Sequence, residues 1–129
     1  MKIKVQDATL LQLDYLVAVA EGATNFHHDT VATYWVTMHG KDRALAKGWA
    51  QSFTPTTDWA QGGPIIERDG IDLYWMQHGT PDFKPLWQSR IVRVGQNRIL
   101  YGPTPLIAAM RCFVSLKLGD EVEVPDEVL

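Results

Sequence analysis

The residues best suited to chemistry lie in two glycine-bearing stretches. In GPTPLIAAMRCF, Gly102 precedes Thr104, a good helix N-cap, Pro105 suits the first helical position, and Arg111 follows two turns on. Unpaired amides and the dipole at such a helix start attract phosphate or carboxylate. Gly102 would let an anion approach, and Arg111, about 10 Å along the axis and leaning back toward the start, would help to hold it. The same residues also make a well-capped helix whose arginine seals the core edge against a carbonyl or carboxylate. In FTPTTDWAQGGPIIERDG, Asp58 precedes Trp59, and Gly62 and Gly63 allow close approach of the backbone to a ligand or to another part of the chain. The tryptophans Trp49, Trp59, Trp75 and Trp87 offer faces for a base, or simply core and interface mass.

Catalytic patterns are missing: there is no activated-nucleophile motif, phosphate loop, dinucleotide fingerprint or metal-ligand cluster. Asp58, Glu67 and Asp69 fall where caps and turns account for them, and Asp58 with Glu67 would work as an acid–base pair only if the chain folded them together. His27 and His28 are adjacent, project differently and lack a second pair at metal spacing, which reads as a surface loop. Cys112 is the single cysteine, so no internal disulfide forms and a cytoplasmic setting is expected. No enzyme activity, metal or cofactor is expected.

These residues must be positioned by one domain, 1–129, since 129 residues leave too little core for two. Hydrophobic residues at 46% and charged residues at 21% are those of a globular chain and exclude a disordered one. No cleavable leader pattern opens the chain, and no apolar run is long enough to span a membrane. The net charge of −3 is uneven: residues 120–129 hold five of the 15 acids, leaving 10 against 12 bases, or +2, over residues 1–119. That is a weak footprint for nucleic acid. The acidic end reads as solvated, with a partner-binding strand or an inhibitory arm as alternatives.

Leu10, Leu13, Leu16, Val17 and Ala20 recur at helical spacing, predicting a helix over 9–21, capped by Asp7 or Thr9 and stopped by Gly22. A loop is predicted over 23–29, a strand over 30–39 and a short helix over 41–52. After Asp58 a short helix is expected, interrupted or bent near the glycines and closed by Gly70. A strand over 71–77, a loop over 78–85 and a hairpin with strands over 86–93 and 98–101 follow, Gly95 and Asn97 making the turn. A helix over 105–118 ends at Gly119 and packs a stripe of Leu106, Ile107, Met110, Phe113, Val114 and Leu118 on the sheet. The whole is an α+β domain, a small antiparallel sheet covered by helices. Both faces of the 71–77 strand call for cover that one copy supplies poorly, so a homo-oligomer is expected.

The run TDWAQGGPIIERDGI, followed by GPTPLIAAMRCFVSLKLGDEVEVP, resembles the NinX-type family of small phage and prophage proteins. The two motifs cover about a third of the chain, and the opening LDYLVAVAEG resembles the first helix of that group. The resemblance implies an α-β-α layered sandwich and an accessory role in phage infection or in a prophage. Two readings of function follow. One is a binder of a small anionic, nucleotide-like ligand, such as a host-defence signal to be sequestered, at Trp59, Gly62, Gly63, Gly102, Thr104 and Arg111. The other is a non-catalytic module acting on a host or phage protein.

Overall fold

A computed structural model describes residues 1–29, 33–76 and 86–128. The chain is an α+β fold in which, among the described residues, antiparallel strands form three small sheets and one helix lies at the centre of the packing. That helix, α3 (Pro105–Leu118), begins as predicted: the Thr104 side chain accepts from the Ile107 amide, Pro105 opens the first turn, and Gly119 caps the end. Its burial is wider than the predicted stripe. Ala108, Ala109, Cys112 and Ser115 are buried too, while Leu118 is exposed, because α3 is packed between a sheet on one side and helices on the other.

The sheet on α3 comprises β5 (Asp72–Met76), β6 (Leu86–Arg93) and β7 (Gln96–Gly102). Ser89, Ile91 and Leu100 on its inner face are buried, and the Ser89 hydroxyl donates to the carbonyl of Ala108. The β6–β7 turn is Val94–Gly95, with Gly95 at φ 77°, so Asn97 lies inside the strand rather than in the turn. The predicted loop at 78–85 lies outside the described residues, as does Gln77.

Helix α1 (Leu10–Ala20) starts with a reciprocal cap: the Thr9 hydroxyl accepts from the Gln12 amide and the Gln12 side chain accepts from the Thr9 amide. Helix α2 (Trp59–Asp69) runs through Gly62, Gly63 and Pro64 without the expected interruption, held by Asp58 at its start and by left-handed Gly70 at its end. Both helices pack on α3, whose Phe113, Met110 and Val114 are fully buried.

Two predictions fail in the second sheet. The predicted loop at 23–29 holds β2 (Thr24–His28), and the predicted helix at 41–52 begins as β4 (Lys41–Ala44); both flank β3 (Tyr34–Met38). Residues His39 and Gly40 sit at φ 52° and 78°, a two-residue hairpin turn that sends 41–44 back along β3 whatever its helical propensity. Phe26 anchors β2 between Tyr15 and Tyr34, at ring separations of 5.2 and 5.5 Å. Residues 30–32 of the predicted strand lie outside the described residues. The third sheet pairs β1 (Lys2–Lys4) with β8 (Glu121–Glu123), so the acidic end is a strand of the fold and not a solvated tail.

Candidate functional site

The segment that leaves β4 is built to open a surface at the head of α2. After Ala44 the chain loops out through Gly48, at φ 92°, and returns where the Phe53 amide donates to the Ala44 carbonyl at 2.7 Å. The Ser52 hydroxyl accepts from the Trp49 amide and donates to the Ala46 carbonyl, fixing the loop from inside. Phe53, Thr54, Pro55 and Thr56 are then buried, and the Thr56 amide donates to the Asp14 carboxylate on α1. Asp58 caps α2 by accepting from the Ala60 amide and the Gln61 side chain, while the Gln61 oxygen accepts from the Thr54 amide.

This packing leaves a cleft on each side of Thr57. One, of about 390 Å³, is lined by Lys47, Trp49, Thr54, Thr57, Asp58 and Gln61 among others. The other, of about 220 Å³, is lined by Thr56, Thr57, Trp59, Thr104, Pro105 and Ile107 among others. Trp49 is 46% exposed and Trp59 55% exposed. Trp49 is held edge-on to Trp35 at 5.5 Å, and Lys47 makes no ion pair with another described residue. The larger cleft thus combines a flat aromatic face, a cation, hydroxyls and the capping carboxylate of Asp58 at the first turn of a helix.

The sequence-nominated residues are dispersed. Trp59 and Thr104 share the smaller cleft, and Gly63 lies behind the Trp59 ring, where an added Cβ would stand 3.8 Å from it. Gly62 is a packing residue: a Cβ there would stand 2.5 Å from the Pro55 carbonyl and the Leu106 side chain. At Gly102 a Cβ would stand 2.6 Å from the Ala108 amide nitrogen, so the close approach its lack of a side chain permits is made by α3. Arg111 lines neither cleft; its guanidinium donates to the Tyr101 carbonyl at 2.7 Å, beside Gln6, which bonds both the amide and the carbonyl of Tyr101. Burial pulls the Arg111 guanidinium below its usual range, with Asp7 opposing. Among the other acids, Asp69 is a buried hub for Arg68, Arg93 and Lys117, and α2 places Glu67 nine residues from Asp58, about 13 Å along the axis. Sequence reasoning missed Lys47 and Thr57; their signal was the KGW loop and the hydroxyl pair before the capping aspartate.

A second surface lies on the outer face of the β5–β6–β7 sheet, where register aligns Tyr74, Gln88 and Tyr101 in one row and Asp72, Arg90 and Ile99 in the next. The Arg90 guanidinium lies 5.0 Å from the Tyr74 ring centre and donates to its hydroxyl, with Asp72 at 3.6 Å, and Gln88 donates to the Tyr101 hydroxyl. Tyr74, Val92, Ile99 and Tyr101 are exposed, so among the described residues the outer face of β5 lacks the cover expected of it. The reason is that α3 takes the inner face and α1 and α2 pack on α3.

A family model described as "Bacteriophage P22, NinX" matches residues 4–117, a span that includes both clefts and the sheet on α3. None of the curated proteins matches the chain.

Proposed function

The chain belongs to the phage NinX family, and from that premise we propose that it is a non-catalytic binding protein that takes a small anionic, nucleotide-like ligand in the Lys47–Trp49 cleft. The observation that carries this reading is the meeting of Lys47, Trp49 and Thr57 around one opening at the head of α2. Its volume of about 390 Å³ falls within the range of small-molecule sites. A phosphate would be held by the Lys47 ammonium and the Thr57 hydroxyl, clear of the Asp58 carboxylate that caps α2, and a base would lie on Trp49. The physiological role that follows is to sequester a nucleotide-derived defence signal in the host cytoplasm. No helix among the described residues is long and apolar enough to cross a membrane. We propose also that the chain works as a homo-oligomer.

The test is tryptophan fluorescence and calorimetry of the full chain titrated with mono- and cyclic dinucleotides. Saturable binding that weakens about tenfold or more in Lys47→Ala, through loss of a charge-assisted contact, supports the reading. Absence of binding by every nucleotide, together with no small mass retained on protein isolated from infected cells, overturns it. The tyrosine–arginine face of the sheet favours the second reading, a protein-interaction module, because these residue types dominate interface energetics.

A further inference from the structure

A cleft of about 520 Å³ runs along the outer edge of β7, whose residues Asn97 to Tyr101 form one wall. Among the described residues no strand pairs with that edge. Register shows which groups it presents. The two-residue turn at Val94–Gly95 makes Arg93 and Gln96 a bonded pair, so Arg98, Leu100 and Gly102 turn their amides and carbonyls to β6, and Asn97, Ile99 and Tyr101 turn theirs into the cleft.

Gln6 shows what this edge accepts. Its side-chain nitrogen donates to the Tyr101 carbonyl at 2.9 Å and its side-chain oxygen accepts from the Tyr101 amide at 3.1 Å, the reciprocal contact that a residue of a neighbouring antiparallel strand makes with its main chain. The Arg98 guanidinium covers the Asn97 carbonyl at 3.1 Å. Between these two lies Ile99, whose amide and carbonyl bond no described residue. We infer that the cleft takes an extended peptide segment of another protein, which adds to β7 as a strand at Ile99 and continues the ladder that the Gln6 carboxamide begins. The inference stands apart from the nucleotide reading, which concerns the cleft at Lys47.

The far wall argues for a foreign peptide over a second copy. It is made by Lys4, Asp120 and Glu121 where β1 meets β8, and it stands beside β7 in every copy, so two recessed edges cannot lie flat together. With Tyr101 occupied, an antiparallel copy that used both Asn97 and Ile99 would also set Arg98 directly opposite Arg98. Lys4 and Arg98 balance Asp120 and Glu121 around the opening, so main-chain bonding rather than net charge selects the occupant. Side-chain preference follows from the pleat. A residue opposite Ile99 lies on the outer face beside that exposed isoleucine and is apolar, and the next points toward Arg98 and Asp120 and is polar.

The experiment selects binders to the full chain from an mRNA-displayed library of random linear peptides and locates them by amide hydrogen exchange. In the free chain the Ile99 amide should exchange fast and the Leu100 amide slowly; a selected peptide should slow Ile99 at least tenfold. The same peptide methylated at the backbone nitrogen that pairs with Ile99 should bind about tenfold more weakly or worse, with no change made to the protein. Four results overturn the inference: no peptide enriched, an Ile99 amide already slow in the free chain, enriched peptides that leave its exchange unchanged, or a methylated peptide that binds as well as its parent. Each leaves the nucleotide reading standing, because Lys47 and Trp49 line a different cleft.

Discussion

The Thr56 amide donates to the Asp14 carboxylate at 3.0 Å, joining α1 to the strip of chain that opens both clefts. Asp14 is buried, and loss of water pushes its carboxyl from 3.8 up to about 7, against the opposing bonds from Thr56 and the field of Lys47. Since the folded value lies above the unfolded one, the protonated group favours the folded state. Its stabilisation is complete below about pH 4 and is lost as pH rises through about 7. Asp14→Asn keeps an acceptor for Thr56 without the charge. We expect its unfolding free energy to be nearly flat between pH 4.5 and 8, while that of the wild type falls over that range by an amount on the order of a few kcal/mol. Parallel profiles for the two proteins would overturn the assignment.

Gly63 and Gly102 should respond differently to the same added methyl. At Gly102 the Cβ would meet the backbone of α3 at 2.6 Å, and a helix backbone yields only by moving the strand away. Gly102→Ala should cost about 1–3 kcal/mol, as overpacking does. At Gly63 the nearest atom stands at 3.8 Å, an ordinary contact, and the residue lies within α2. Gly63→Ala should therefore be close to neutral, because the roughly 0.5–1 kcal/mol from the reduced freedom of the unfolded chain is offset by the contact of the new Cβ with the ring of Pro64. Urea titrations of the two variants check both, and a Gly102→Ala variant no less stable than Gly63→Ala would overturn the contrast.

What the sequence disclosed was local. Thr104 with Pro105 and Gly119, Asp58 with Gly70, and Thr9 each announce a helix end through bonds made within four residues, and all three helices begin and end within a residue or so of prediction. The failures required distant partners. Lys2 pairs with Glu123 from the far end of the chain, and no local pattern in DEVEVP distinguishes a strand from a solvated end. His27 and His28 are strand residues because Trp35 and Tyr34 lie opposite them. The site shows the same divide. Trp59 and Thr104 were nominated separately for local reasons and share a cleft because Gly62 lets α2 approach the start of α3. Lys47 gains its meaning from a loop return set by Ser52 and Phe53, which its own neighbours do not encode.

Arg111 provides a decisive contrast between anion binding and structural support. It ties α3 to the end of β7 through the Tyr101 carbonyl and lines neither cleft. Arg111→Ala should lower stability by about 1–3 kcal/mol, the worth of a charged group's hydrogen bond together with the carbonyl it leaves behind. Its affinity for any nucleotide that wild type binds should be unchanged. Calorimetric titration alongside thermal melts reads both quantities, and a weakened Kd with an unaltered melt would move the site to the α3 start.

The acidic end should prove necessary for folding, and for its valines rather than its charges. Val122, Val124 and Val128 are buried, the Gln12 side chain donates to the Val128 carbonyl, and the Tyr34 hydroxyl donates to that of Glu127. At about 1.5–3 kcal/mol for each buried valine, the three together approach the whole stability of a small domain. Deleting residues 120–129 should therefore leave a chain without a cooperative melt. The carboxylates are a different matter: Glu121 faces Lys2 at 3.8 Å and Glu123 faces the amino terminus at 3.4 Å, both exposed to solvent that screens them. The double substitution Glu121→Gln with Glu123→Gln should shift the melting temperature little, and Val122→Ala alone should shift it more. Circular dichroism melts rank the three, and a larger loss from the glutamines than from Val122→Ala would show that charge, not burial, holds β8 against β1.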